Sequence, residues 1–291
     1  MLIKKVFIMR IKRSILTVLA TILLLNHPVG FAASQWRQLD ASNTVLMTLP
    51  YGKVVVELAP NVAPNHVKQF KQLIKKGFYN GNKFYRVIDG FVAQAGPDER
   101  HDNAPELAIE SEWTPAKNWS FMGVQNDDLF APQTGFLNGF PVGYSAKENK
   151  AWLTHCPGML AMARGNAADS GSSHFYFTIG QAPRYLDRIM TVFGRVVYGM
   201  NTIQAIKRTA TIAGEPPVSA KFFTPIITMQ MMSDVPKNEQ IIVEVEDTSS
   251  DKFKAKLAAR RDRKSAFFYK KPPQVLDICQ VPVLSRLVKS K

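Results

Sequence analysis

Arg86 is the residue whose type and surroundings could carry chemistry most directly. Phe91 and Gln94 follow it in the same segment and add an apolar ring and an amide. A guanidinium is always charged and presents several N–H donors at fixed angles, so it can stabilise charge or a lone pair that develops only in a transition state. An arginine beside a tyrosine in a strand is, however, usually a solvated surface residue, so Arg86 by itself does not establish a site.

Other catalytic chemistries find little support in the sequence. The histidines are dispersed, no ligand spacing suits a metal ion, and no glycine-rich loop suits a phosphate group. The hydroxyls of 170–173 lack the strained context of a nucleophile and are typical of a turn. We therefore expect neither a metal nor a cofactor. The five histidines are His27, His66, His101, His155 and His174.

Many short strands and two short helices must position these side chains. The predicted strands are Val45–Leu49, Val54–Leu58, Phe84–Ile88, Phe91–Gln94, Gly158–Ala163, Phe175–Ile179, Thr191–Val197 and Ile226–Met232, and the predicted helices are 64–76 and 200–206. This mixture favours a closed β-barrel or a sandwich with capping helices. Alternation along one strand turns Phe175 and Phe177 inward and Tyr176 outward.

Two regions differ from this pattern. Residues 95–157 are the least regular part, and their scattered aromatic side chains indicate a segment that packs on the core. Beyond residue 233 we expect a strand at Ile241–Val245 and then a basic helix at Asp251–Lys264, with Pro272 and Pro273 ending it. Residues 251–291 hold twelve basic and three acidic residues, so much of the formal net charge of +14 belongs to this tail.

The first 32 residues have the pattern of a secretory signal. Five basic residues precede an apolar run from Ile15 to Leu25, and small residues at Gly30 and Ala32 suit cleavage after Ala32. The apolar run is short for a bilayer span, which needs about 20 residues, and an uncleaved anchor is the alternative. The two cysteines, Cys156 and Cys279, match no metal or redox motif; they could pair, or Cys156 could simply be buried.

Several segments, taken in order, resemble the cyclophilin signature over about residues 43–232. They are Gly52–Leu58, Phe84–Gly96, Gly158–Arg164, Ser173–Phe177, Tyr185–Asp187 and Val192–Val196. The resemblance implies a mainly β fold: a closed eight-stranded antiparallel barrel capped by two helices. We accordingly expect an isomerase domain at 43–233 that carries the long insertion 95–157, followed by a basic C-terminal extension at 234–291.

The resemblance also implies roles for individual residues. Arg86 matches the catalytic arginine of the family, with Gln94 beside it. The residues that match the proline pocket are Phe91, Val92, Tyr176, Leu186 and Met190. The residues that match contacts to the substrate backbone are Gln94, Ala163, Arg164 and His174, and Tyr185 stands where tryptophan is frequent.

Departures from the family pattern modify these expectations. His174 replaces the usual glutamine, which could make the grip on substrate pH-dependent. Tyr176 brings a hydroxyl to the pocket wall, and Arg164 replaces an asparagine that is common in eukaryotic members. Tyr185 lacks an indole donor, so we expect weak cyclosporin binding.

The resemblance implies a peptidyl-prolyl cis-trans isomerase that accelerates the rotation of X–Pro bonds in exported proteins. The alternative is a module that binds proline-containing peptides, or acts as a chaperone, with little turnover. We expect a monomer in the periplasm of a Gram-negative bacterium, acting on unfolded or folding proline-containing polypeptides. The basic tail, 251–291, could also attract an anionic membrane surface; nucleic acid is not expected as a partner.

Overall fold

The computed structural model describes residues 35–98, 102–209 and 219–288. The predicted signal peptide, 1–32, lies outside the described residues. The strands are β1 (Trp36–Gln38), β2 (Thr44–Leu49), β3 (Gly52–Leu58), β4 (Lys83–Ile88), β5 (Val92–Gly96), β6 (Met122–Asn126), β7 (Gln133–Leu137), β8 (Phe140–Ser145), β9 (Lys150–Leu153), β10 (Met159–Met162), β11 (Phe175–Thr178), β12 (Val192–Tyr198), β13 (Thr224–Pro225), β14 (Thr228–Met231), β15 (Val243–Glu246) and β16 (Ser285–Leu287). The helices are α1 (Pro64–Lys75), α2 (Met200–Gln204) and α3 (Asp251–Asp262).

The main sheet has nine strands in the order β13-β4-β5-β11-β10-β12-β3-β2-β14. The prediction of a mainly β, cyclophilin-like fold is confirmed, although the sheet is curled and does not form a closed eight-stranded ring. Its two edge strands are neighbours in the chain, separated only by Ile226 and Ile227. Ile226 N–H donates to the carbonyl of Asn82 at 2.7 Å, and Ile227 N–H donates to that of Thr48 at 2.9 Å. The segment 224–231 therefore forms both edge strands of the sheet. Its bend at Ile226 and Ile227 separates β13 from β14, so the sheet does not close through a continuous strand.

Helix α1 covers one end of the curled sheet with its apolar face. Phe70 packs edge-on against Phe175 at 5.5 Å and against Phe193 at 5.1 Å between ring centroids. Phe175 and Phe177 lie in this inner core, and Tyr176 lies in an outer apolar cluster on the opposite face of the sheet, with Val92, Ala161 and Val192. This confirms the predicted alternation along β11.

The insertion is more regular than the sequence indicated. Strands β6 to β9, all within 95–157, form a four-stranded antiparallel sheet. Glycines interrupt the alternation of apolar and polar residues along these strands. They are needed because aromatic rings lie directly against the backbone: a Cβ at Gly135 would collide with Phe121, and one at Gly143 would collide with Trp152. Pattern reading takes such glycines for turns.

The C-terminal extension packs on this inserted sheet. Helix α3 buries Phe253 and Leu257, and Phe253 meets Phe136 of the insertion edge-on at 5.5 Å. Strand β15 pairs with both β1 and β16. The predicted basic helix is confirmed, but it ends at Asp262, well before Pro272, because Arg263 adopts a left-handed conformation.

Cys156 and Cys279 form a disulfide, which answers the question that their spacing left open. The bond joins the connection between β9 and β10 to the extension, across 123 residues of sequence. Among the described residues, none of the helices combines the length and the apolar character that crossing a membrane requires.

Candidate active site

Neighbouring strands bring three of the predicted site residues, Arg86, Gln94 and Tyr176, onto one outer face of the main sheet. Arg86 of β4 lies opposite Gln94 of β5, and Gln94 lies opposite Tyr176 of β11. Tyr176 in turn lies opposite Ala161 of β10. Because directly opposed residues in an antiparallel sheet share a face, these registers align one row of side chains across the strands.

Arg86 lies at the exposed end of this row, between an amide and an aromatic ring. Its Nη1 donates to Gln94 Oε1 at 3.2 Å, and its guanidinium carbon lies 5.9 Å from the centroid of Phe91. Phe91 stacks with Tyr185 at 6.4 Å and an interplanar angle of 16°. The Arg86 guanidinium, with N–H donors still available, therefore lies over the ring of Phe91, which is stacked with that of Tyr185.

The other residues predicted to form the proline pocket lie near the rings of Phe91 and Tyr185. Val92 and Tyr176 are buried in the outer apolar cluster, and Phe91, Ala163 and Met190 pack against it partly exposed. Leu186 is half-buried in the 3-10 turn Arg184–Leu186, and the neighbouring Tyr185 side chain is 64% exposed.

Tyr85 is a contributor that the sequence reasoning missed. Gln94 Nε2 donates to Tyr85 Oη at 2.6 Å, and the same hydroxyl bonds to His174 Nδ1 at 2.8 Å. His174 Nε2 lies 3.4 Å from a carboxylate oxygen of Asp102. The pairing of β4 with β5 shifts register between Phe84 and Arg86, so Tyr85 lies in an irregularity that strict alternation does not predict.

Arg164 bonds to backbone carbonyls of its own loop and of the loop that carries Ile189. Its Nε and Nη2 donate to the carbonyl of Ile189 at 3.1 and 2.9 Å, and Nη1 donates to that of Gly165 at 2.8 Å. The predicted contact of Arg164 with a substrate backbone stays a prediction. In the structure the Arg164 side chain joins the loop that contains Gly165 to the loop that contains Ile189.

The hydroxyl of Tyr176 points away from the groove. It bonds to Nε2 of the buried His155 at 2.9 Å, and His155 Nδ1 bonds to Asp187 Oδ1 at 2.9 Å. Burial, and then the nearby charge of Asp187, raises the pKa of Tyr176 well above its ordinary value, so the hydroxyl keeps its proton. Only the ring of Tyr176 is available to the pocket. Nothing in the sequence around His155 indicated this contact.

Comparison with known proteins finds one family along most of the described chain. The family model described as cyclophilin type peptidyl-prolyl cis-trans isomerase/CLD matches residues 44–226. A probable peptidyl-prolyl cis-trans isomerase of Brucella suis biovar 1 (strain 1330) is 33% identical over 171 residues, which are 58% of this chain and 74% of the relative. Peptidyl-prolyl cis-trans isomerase-like 1 of Mus musculus is 28% identical over 174 residues, which are 60% of this chain and 85% of the relative.

A solved structure extends the likeness beyond the family domain. Cyclophilin AquaCyp293 from Hirschia baltica superimposes with a TM-score of 0.70 at 27% identity, covering 88% of this chain and 94% of its own. The family model alone spans more than half of the chain, over the strands that carry Arg86, Gln94 and Tyr176. The chain belongs to the cyclophilin-type peptidyl-prolyl cis-trans isomerases.

Proposed function

We propose that Arg86 accelerates X–Pro rotation by donating a hydrogen bond to the prolyl nitrogen as the peptide bond twists. The planar amide resists rotation with a barrier of about 18–20 kcal/mol because nitrogen shares its lone pair with the carbonyl. In the twisted state that lone pair is localised and accepts a hydrogen bond. A donor that gains strength only there lowers the barrier without covalent chemistry.

The observation that carries the proposal is the contact of Arg86 with Gln94 over the ring of Phe91. Gln94 limits the rotation of the Arg86 side chain, which is otherwise exposed, and uses only one of its N–H donors. Phe91 and the ring of Tyr176 provide the apolar surface on which a proline ring would rest. The substrates are accordingly proline-containing polypeptides.

Substitution of the arginine tests the proposal. We expect Arg86→Ala to lower kcat/KM on a short proline peptide by about 10²–10³-fold, the loss usual for one transition-state donor. Lys83→Ala is the matched control, because Lys83 is an exposed cation on the same strand and should leave the rate unchanged. Equal rates for wild type and Arg86→Ala would discard the mechanism.

A binding role with little turnover gives a different result. A holding module would bind proline peptides with similar affinity in wild type and Arg86→Ala, and neither protein would accelerate isomerisation. If peptides that lack proline bound equally well, the groove would not be the working surface.

We propose that the protein is exported and acts on exported clients, most simply in a Gram-negative periplasm. Support comes from the leader 1–32, with its basic lead-in, short apolar run and small residues before Ala33. Expression with a C-terminal tag should yield a periplasmic protein whose N-terminal residue is Ala33, as read by mass spectrometry. Recovery of the full-length chain from the cytoplasm would contradict the proposal.

We also propose that the tail touches anionic membranes, and an exposed aromatic loop supports this. After α3, Phe267 and Tyr269 are 83% and 92% exposed, and Lys270 and Lys271 follow them. Aromatic side chains favour the interfacial layer of a bilayer, and each nearby lysine adds about 1 kcal/mol of attraction to an anionic surface.

Sedimentation with vesicles that contain phosphatidylglycerol tests this loop. Wild type should co-sediment at low salt, and both Phe267→Ser/Tyr269→Ser and Lys270→Gln/Lys271→Gln should reduce binding. Leu129→Ser is the control, since Leu129 is equally exposed on the insertion. Binding to acidic peptides but not to vesicles would refute a membrane role.

A further inference from the structure

The proposed proline pocket draws its residues from different parts of the sequence. We call Tyr176 of β11 its floor, and the turn Arg184–Leu186 with Asp187 its wall. His155, in the connection between β9 and β10, is fully buried between them. One side chain thus contacts both surfaces that must hold a proline ring.

The contacts of His155 fix the role of each nitrogen. A carboxylate only accepts hydrogen bonds, so Nδ1–H donates to Asp187 Oδ1 at 2.9 Å. With the ring proton on Nδ1, Nε2 accepts a hydrogen bond from the hydroxyl of Tyr176, at 2.9 Å. The backbone N–H of His155 also donates to Asp187 Oδ1, at 2.8 Å. The floor is held by one hydrogen bond and the wall by two.

The series of hydrogen bonds from Tyr176 through His155 to Asp187 continues into the insertion. Arg184 Nε donates to the second oxygen of Asp187 at 2.6 Å, and Arg184 Nη2 donates to Asp128 at 3.0 Å. Asp128 belongs to the loop between β6 and β7, and the neighbouring Phe130 ring lies 5.3 Å from the Arg184 guanidinium carbon. Each side chain of this hydrogen-bonded series, from Tyr176 to Asp128, is buried to about nine-tenths or more. Such a series of hydrogen-bonded side chains is rigid, because breaking one hydrogen bond leaves a buried polar group without a partner.

We propose that His155 is a positioning residue of the isomerase, which holds the floor and the wall of the proline pocket at one spacing. The inference rests on the proposed function, because it assumes that the pocket binds the proline ring. Arg86 is oriented separately, through Gln94 and Tyr85 on the other side of the floor. Loss of the His155 contacts therefore weakens substrate binding and leaves the catalytic donor in place.

A double-mutant cycle between His155 and Tyr176 tests the link. His155→Asn retains an amide near the position of Nδ1 and removes the partner of Tyr176, while Tyr176→Phe removes only the hydroxyl. Loss of one hydrogen bond of about 1 kcal/mol predicts that each variant raises KM about fivefold. We expect kcat to stay within about twofold, and the double variant to be no worse than either single variant.

Two further variants separate positioning from simple stability. His155→Gln keeps an amide near the position of Nε2 and should recover most of the loss seen in His155→Asn. Thr154→Val removes the neighbouring buried hydroxyl, which donates to the carbonyl of Pro141, and should lower the melting temperature without changing KM.

The inference fails if the effects of His155→Asn and Tyr176→Phe on KM add in the double variant. It also fails if these variants lower the melting temperature and leave KM unchanged. Failure of the proposed function has a separate signature, since Arg86→Ala would then match wild type, either in full activity or in the absence of any activity, whatever the residue at position 155.

Discussion

At the scale of single residues, the hydroxyl of Tyr85 links Arg86, through Gln94, to the rest of the groove. It accepts from Gln94 Nε2 and bonds to His174, so it holds the amide that contacts Arg86. Tyr85→Phe removes one such hydrogen bond, and we expect kcat to fall about fivefold with KM nearly unchanged. Steady-state isomerisation kinetics check this. An unchanged kcat would show that Gln94 needs no support from Tyr85.

His66 gives the fold a dependence on pH. Burial lowers the pKa of His66, and this effect exceeds the opposing influence of Glu110, whose carboxylate lies 2.7 Å from Nδ1. The unfolded chain takes up a proton near the ordinary value of 6.5, so it binds more protons than the native state just below that pH. The free energy of unfolding should therefore decrease as pH falls below about 6.5. His66→Gln should flatten this decrease in urea titrations, and parallel curves for the two proteins would contradict the assignment.

At the scale of elements, helix α1 is capped by a residue distant in sequence. Its N-cap residue, Ala63, makes no side-chain capping bond. Glu110 of the insertion instead accepts from the backbone N–H groups of Asn65 and His66 at 3.1 and 3.0 Å. A carboxylate at this position satisfies free N–H groups and complements the helix dipole.

Removal of this cap should be measurable. Glu110→Ala should lower the free energy of unfolding by about 1–2 kcal/mol, the usual cost of a lost cap. The exposed Glu106 provides the control, and Glu106→Ala should stay within about 0.5 kcal/mol of wild type. Urea denaturation of both variants checks this. Equal stabilities would mean that the cap contributes nothing.

At the scale of the whole molecule, the disulfide holds the extension on the insertion. Closure of a chain segment of 123 residues restricts the unfolded state, and chain entropy predicts a stabilisation of about 4–5 kcal/mol. The variant Cys156→Ser/Cys279→Ser should show most of this loss in urea denaturation, and reductant should destabilise wild type but not the variant. A variant as stable as oxidised wild type would refute the prediction.

Much of the fold was accessible from sequence because its signals are local. Alternation along Phe175–Thr178, the apolar face of Pro64–Lys75 and the basic helix from Asp251 each depend on neighbouring residues, and each element forms where predicted. The irregularity at Tyr85 and the sheet of the insertion were not predicted, because bulges and close contacts between aromatic rings and glycines break those periods.

By itself the sequence determined the family, the mainly β architecture and the segment that carries Arg86, since these depend on short motifs in order along the chain. Only the tertiary structure decided that His155 joins Tyr176 to Asp187, that Glu110 caps α1 and that Cys156 meets Cys279. The physical reason is that hydrogen bonds and disulfides form between residues that folding brings close in space, whatever their separation in sequence. No local pattern records which distant residue a buried polar group will meet.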